Sequence, residues 1–392
     1  MTQIQRITIV GGAGHVGLPL ALVLADQGFH VDVLDVNAAA LATIKAGKMP
    51  FREHGAEALL QKLLPTGRLN MTSDNAVTAL ADVVICVIGT PVDEYLNPET
   101  YLFYKVIGDL RPHLRDGQTL ILRSTVYPGL SAKIDRMFRE EGPRVHVAFC
   151  PERVAQGQSL REIHELPQII SAFDDVGIAA ARTVFGRISR ELIEVVPLEA
   201  ELAKLMCNCY RYITFAIANQ FHMIATDAGV DFNRVHHAAT HNNPRTSTMP
   251  RPGLAAGPCL FKDTMQLAAF SNNNFFLGHA AMLINEGLPQ YMVNTLKGKC
   301  DLHKMKAGIL GMTFKADCDD IRDSLSFKLK KLLQLEAKAV LTHDPFLKSD
   351  ATIEQILNEC DVIVVGTPHK EYRGLKIPTG KIVEDVWNCL GK

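Results

Sequence analysis

The sequence predicts an α/β protein with two parallel-sheet domains, residues 1–196 and 297–392. A long central helix and a helical middle domain, residues 197–296, join them. Three observations carry this reading. Short apolar runs alternate with helical patterns at both ends of the chain and stop at glycine, proline or a small polar residue, as buried parallel strands do. The first of these runs leads directly into a glycine cluster that opens a helix. Between the two alternating regions, no glycine or proline interrupts Leu198 to Asp227, and Leu198, Leu202, Leu205, Cys209, Ile213, Ala216 and Ile217 recur at helical spacing. A helix of that length would be about 45 Å long.

Arg6 to Gly12 is an apolar strand ending in glycines, followed by Gly12-Ala13-Gly14-His15-Val16-Gly17 and a helix that ends near Gly28. A second strand, His30 to Leu34, ends at Asp35. In a G-x-G-x-x-G loop the first glycine allows a tight turn, the second lets a pyrophosphate approach the backbone, and the third lets helix and sheet pack closely. Helix-terminal amides, including those of His15 and Val16, would hold the phosphates. Asp35 is placed to accept from an adenosine ribose diol and to repel a 2′-phosphate, which selects NAD over NADP. The first domain is therefore Rossmann-like. Asp35 is equally a candidate cap for a helix over residues 37–46.

Three further strand patterns follow: Ala81 to Gly89 before Thr90-Pro91, Thr119 to Arg123 before Ser124-Thr125, and Val145 to Cys150 before Pro151-Glu152. Ligands of parallel sheets sit at the carboxyl ends of strands, so Thr90, Thr125 and Glu152 fall where nicotinamide and substrate would meet. Each is also a common turn or cap residue. A strand at Gln168 to Ser171, a helix from Val176 and a strand at Glu191 to Val196 close the domain.

On the central helix Lys204, Asn208, Arg211 and Asn219 form a polar stripe that faces either solvent or a cavity. A helix over Asp231 to Thr240 precedes HNNPRTSTMPRPGLAAGPCLFKD, a loop composition of Pro, Gly, Asn and Arg that marks a binding segment. It ends at Gly257-Pro258-Cys259, and a helix resumes at Leu260. A thiol at a helix amino terminus, with Lys262 near in sequence, has its thiolate favoured. A lone cysteine is also commonly an inert core residue.

Composition narrows the functional classes. With 392 residues, 47% of them hydrophobic, the chain can build a large core. A formal net charge of -1 argues against a general nucleic-acid binder. No apolar run is long enough for a membrane span, and the opening MTQIQRITIVGG carries no charged leader, so a cytoplasmic protein without secretory signal is expected. The nine cysteines are irregularly spaced without C-x-x-C, which suits a reducing compartment. The 14 histidines contain no H-E-x-x-H, so no metal is expected.

The ordered set of G-x-G-x-x-G, T-P at Thr90, S-T at Ser124-Thr125, P-E at Pro151-Glu152, K-x-x-x-N at Lys204 to Asn208, G-x-C-x-x-K-D at Gly257 to Asp263 and FKADCDDIRDS resembles the nucleotide-sugar 6-dehydrogenases. The likeness spans essentially the whole chain. TPVDEYLNPE and CPERVAQG look more like the UDP-N-acetylhexosamine branch (ManNAc or GlcNAc type), whereas the Lys-Asp ending of GPCLFKD is similar to the UDP-glucose enzymes.

The resemblance implies a four-electron oxidation of a sugar CH₂OH to carboxylate with two NAD⁺. Cys259 would attack the aldehyde, and Lys204 and Asn208 would steady the oxyanion. Thr125 and Asp263 would hold a water base, unless Lys204 is the base, and Glu152 would activate the hydrolytic water. It also implies sugar-nucleotide contacts from Arg153, Arg211, Arg251, Lys315 and Arg322, and a homodimer through the middle region that brings Arg245 or Arg251 to a neighbour's site. A two-electron dehydrogenase and a non-catalytic nucleotide-sugar-binding protein are the competing classes.

The last region reads as a second α/β unit without a full glycine fingerprint, and it is similar to the family's UDP-binding domain. Strands are expected at Lys306 to Gly311, Lys338 to Thr342, Asp361 to Gly366 and Lys381 to Asp385, with helices at Leu325 to Leu335 and Ala351 to Asn358.

Overall fold

The computed structural model describes residues 4–90, 92–93 and 99–391. Pro91 and residues 94–98 of the TPVDEYLNPE motif lie outside the described residues. The chain forms two compact units, Met1–Met206 and Cys207–Lys392.

The first unit begins with β1 (Arg6–Val10), α1 (Gly17–Asp26), β2 (His30–Leu34), α2 (Ala38–Lys45), α3 (Ala56–Leu63), β3 (Leu69–Thr72), β4 (Val83–Cys86) and α4 (Thr100–Leu110). It continues through β5 (Thr119–Leu122), α5 (Leu130–Glu140), β6 (His146–Phe149), α6 (Ser159–Glu165), β7 (Gln168–Ile170), α7 (Asp175–Phe185) and β8 (Leu192–Glu194). Six strands pair entirely in parallel in the order β3-β2-β1-β4-β5-β6. The order reverses between β1 and β4, the crevice where doubly wound sheets take dinucleotides. Helices cover both faces, so β4 (VVIC) and β5 (TLIL) are buried at every residue, which is why they read as continuous apolar runs. The strand β2 matches its expected span, and the other expected strands of this unit end a residue or more early because the last residues turn away as loop. The edge strand β3 has no counterpart in the sequence reading; its four residues, LNMT, are too few and too mixed to show a period.

The long helix α8 runs Pro197–Asp227, 31 residues, within one residue of the Leu198 to Asp227 stretch free of breakers. The second unit continues with α9 (Phe232–Thr240), α10 (Leu260–Phe270), α11 (Phe276–Lys299), β9 (Lys306–Leu310), α12 (Leu325–Glu336), β10 (Ala339–His343), α13 (Ile353–Glu359), β11 (Val362–Val365) and β12 (Ile382–Glu384). Its four strands are again all parallel, in the order β10-β9-β11-β12. Leu288, Met292, Val293 and Leu296 of α11 pack with Leu325, Leu329 and Leu333 of α12 over that sheet.

Candidate active site

The glycine loop follows β1. Gly11 makes the turn, with φ +77°, a conformation that glycine adopts without steric cost. The sequence assigned that turn to Gly12. Gly12 instead meets a spatial limit, since a Cβ there would lie 2.7 Å from the Ile9 carbonyl oxygen. Gly14 has the open surface a pyrophosphate needs: the nearest atom to an added Cβ is Gly11 O at 3.5 Å. Val16 is the amino-terminal cap of α1, and His15 packs on Phe51 with ring centroids 4.0 Å apart. Asp35 accepts from the backbone N–H of Ala13 at 3.0 Å and of Asn37 at 2.9 Å, so it braces the loop. The cap of α2 is Asn37, whose side chain accepts from Ala40 N; Asp35 does not cap it. An open glycine backbone at a helix start and a half-exposed carboxylate at the end of β2 fit the pyrophosphate and ribose of NAD.

Gly17 tests this cradle. A Cβ there would sit 2.4 Å from Gly11 O and 2.7 Å from Gly12 Cα, both backbone atoms that cannot swing aside. Gly17→Ala is therefore expected to cost about 1–3 kcal/mol of stability and to weaken NAD binding by tenfold or more. A thermal melt and an NAD titration check it; unchanged NAD affinity would remove the loop from the binding site.

At the sheet's carboxyl edge, the Thr90 hydroxyl donates to the Thr125 carbonyl at 2.5 Å, which joins the ends of β4 and β5. Glu152, after β6, is buried and saturated with donors. Oε2 takes Nε (3.0 Å) and Nη2 of Arg123, and Oε1 takes the N–H groups of Arg153 (2.7 Å) and Val154 (3.1 Å). Arg123 has no exposed side-chain surface; it also donates to Cys150 O and Gln168 Oε1 and lies 4.7 Å from the Phe185 ring centre. The sequence reading treated Arg123 only as the end of a strand. Its cue is position: an arginine closing a run buried on both faces has no route to water. The Arg153 guanidinium turns to the Pro167 carbonyl. Lys204, on α8, is half-buried.

In the second unit Cys259 is exposed and is the residue preceding α10. Burial pushes Cys86 and Cys150 up to about 12 and Cys209 up to about 11, and among the described residues Cys207 is the only other exposed cysteine. In the first turn of α10, Asp263 is fully buried: Oδ2 accepts from Asn208 Nδ2 at 2.5 Å, and Oδ1 lies 3.2 Å from Lys262 Nζ. Asp263, Asn208 and Cys259 thus cluster at one helix start, and Lys262 pairs with the carboxylate. Asn219 is a packing residue. Its amide exchanges two hydrogen bonds with the Gly253 backbone and donates to Asn285, anchoring the segment that leads to the thiol.

Arg322 is held by Asp320 through three contacts, the shortest 2.6 Å. That carboxylate raises the arginine's pKa against opposing burial, with smaller contributions from the Cys259 sulfur and Asp323. Lys315 is half-buried, and Arg211 and Arg245 are exposed. Arg251 lines a cavity of about 490 Å³ with Phe215, Pro252, Arg373 and Trp387. Arg373 and Trp387 escaped the sequence reading because each stands alone outside any motif.

Comparison with known proteins divides the chain into three segments. Residues 5–189 match the NAD binding domain of the UDP-glucose/GDP-mannose dehydrogenase family, residues 198–286 its central domain, and residues 308–392 its UDP binding domain. A UDP-N-acetyl-D-mannosamine dehydrogenase of Methanococcus maripaludis is 30% identical, over 95% of this chain and 88% of that protein. The solved UDP-D-ManNAc dehydrogenase of Pyrococcus horikoshii superposes with a TM-score of 0.90 at 25% identity, covering 99% of this chain and 100% of that one. A UDP-glucose dehydrogenase from Pyrobaculum islandicum gives the same TM-score of 0.90 at 25% identity, covering 98% and 94%.

Proposed function

Since this chain belongs to the UDP-glucose/GDP-mannose dehydrogenase family, we propose that it oxidises C6 of a UDP-N-acetylhexosamine of the ManNAc or GlcNAc type to the uronic acid. The observation that carries the proposal is an exposed Cys259 at the start of α10, beside a buried Asp263 that Asn208 holds. Bound NAD⁺ supplies the hydride acceptor, used twice for each sugar. The chain's residues do the rest. A water held by Thr125 and Asp263, or Lys204 itself, takes the hydroxyl proton as the alcohol becomes an aldehyde. The Cys259 thiolate then adds to the aldehyde carbon, and Lys204 and Asn208 stabilise the oxyanion. Loss of the C–H hydride converts this adduct to a thioester. Water hydrolyses the thioester, releasing carboxylate and the thiolate, with Glu152, which Arg123 holds, as the proposed base. The balance is one alcohol, one water and two NAD⁺ to one carboxylate, two NADH and three protons.

Arg153, Arg211, Arg251, Lys315 and Arg322 are proposed to contact the sugar nucleotide, and Gly12, Gly14, His15, Val16, Gly17, Asp35 and Thr90 the NAD. The proposed domains are residues 1–196 for NAD, 197–296 for the helical middle and 297–392 for the UDP-sugar; the matched family segments support this division. Tyr210, Ile217, Phe221 and Ile224 leave an exposed apolar stripe on α8, which supports a homodimer through the middle region that brings Arg245 or Arg251 to a neighbour's site. No helix among the described residues is long and apolar enough to cross a membrane, and the irregular spacing of the nine cysteines supports a cytoplasmic location.

The test is a panel of UDP-sugars with NADH counted per sugar consumed. Two NADH with an N-acetylhexosamine, and much slower turnover of UDP-glucose, is the expected result. One NADH per sugar would mean a two-electron dehydrogenase, and preference for UDP-glucose would move the substrate to the other branch.

A further inference from the structure

The segment between β9 and α12, residues 312–324, carries Lys315 and Arg322 and is held by a buried polar network outside the chemistry described above. His369, just after β11, has no exposed surface. Its Nδ1 accepts the backbone N–H of Asp317 at 3.0 Å. That places the ring proton on Nε2, which lies 3.1 Å from both Asp344 Oδ2 and Thr313 Oγ1. Asp344 Oδ2 also accepts from Met312 N at 2.7 Å and Thr313 N at 3.0 Å. The Thr313 hydroxyl donates to the Lys315 carbonyl at 3.0 Å, and Thr367 donates to the Thr313 carbonyl at 2.5 Å. Asp317 itself sits at φ +59°, an uncommon conformation for aspartate that its neighbours must stabilise.

The same segment abuts the approach to the thiol. Asp323 O accepts the Gly257 N–H at 3.2 Å, and the Phe314 ring fills the space beside Gly257, where a Cβ would lie 2.5 Å from Cδ2. Gly257, at φ +100°, is two residues before Cys259. The loop therefore makes contact in two directions: inward to His369, and outward to the turn that presents the thiol.

We infer that His369 is a positioning residue, which through Asp317, Thr313 and Asp344 fixes the 312–324 loop and so sets both the sugar-nucleotide contacts and the placement of Cys259. The two ring nitrogens act differently, one as acceptor of a main-chain N–H and one as donor to a carboxylate and a hydroxyl. No apolar residue of the same volume can do this. The inference rests on the proposed role of Cys259.

The experiment compares His369→Leu, which keeps volume and loses both nitrogens, with His369→Asn, whose amide oxygen can still accept from Asp317. In the full-length enzyme His369→Leu is expected to raise KM for the UDP-sugar at least tenfold and to change the iodoacetamide labelling rate of Cys259 at least fivefold. KM for NAD should stay within twofold. His369→Asn should recover most of both effects. Equal rises in both KM values, or no recovery in His369→Asn, would overturn the inference. If His369→Leu shows no cooperative melt, Thr313→Val carries the test, because it deletes only the hydroxyl between His369 and the Lys315 carbonyl. A KM for UDP-sugar within twofold of the parent would then overturn it. Failure of the Cys259 reading is separate: it appears as turnover retained when Cys259 is replaced by alanine, whatever His369 does.

Discussion

Cys259→Ala is expected to lower turnover by about 10³-fold or more while leaving NAD affinity within twofold. The second oxidation requires a tetrahedral adduct that still carries a C–H bond, and only an added nucleophile makes an aldehyde into one. Cys259 is suited to that by exposure and by standing at the start of α10, where the N–H groups of the first turn favour a thiolate. The proposed dinucleotide cradle draws on β1, α1 and β2 and not on α10, so NAD affinity is expected to hold. Single-turnover measurement of NADH, with NAD binding measured in parallel, checks the split. Parallel loss of both would assign the cysteine a structural role, and unchanged turnover would exclude the covalent route.

Glu152→Ala is expected to destabilise the first unit by about 3–5 kcal/mol, because it strands a guanidinium that has no exposed side-chain surface. For a unit of this size that is a fall in Tm on the order of 10 °C. Glu152→Gln should cost less, since the amide oxygen can still accept from Arg123, although both backbone N–H contacts of the other oxygen are lost. A proton-transfer role adds a second readout: Gln would largely keep the fold and still lose thioester hydrolysis. Thermal melts of both variants beside NADH yields at each half-reaction separate the two contributions. A Glu152→Ala protein that melts like the parent would show that Arg123 does not depend on this partner.

Features that depend on neighbours in sequence were readable. The bounds of α8 follow from an uninterrupted run without glycine or proline, and the glycine loop follows from strand, turn and helix in register. The start of α10 after Gly257-Pro258-Cys259 was likewise visible, because a turn signal met a helical period. What stayed hidden depends on partners far along the chain. Arg123 reaches Glu152 and Gln168, and His369 reaches Thr313, Asp317 and Asp344; no local pattern records such pairings. The transfer of the turn from Gly12 to Gly11 was hidden for another reason. Adjacent glycines are interchangeable in sequence; the positive φ of Gly11 and the approach of the Ile9 carbonyl and the Val33 side chain to Gly12 tell them apart.

Among the described residues neither large sheet contains an antiparallel pair, and this bears on how the chain reaches its native state. Without hairpins, no pairing can nucleate between adjacent residues; the central contact of the first sheet joins Ile7 to Val83. Loop-closure entropy must be met before such pairings give any return, which makes assembly slow and leaves apolar edges open to other chains meanwhile. Refolding yield is therefore expected to rise on dilution.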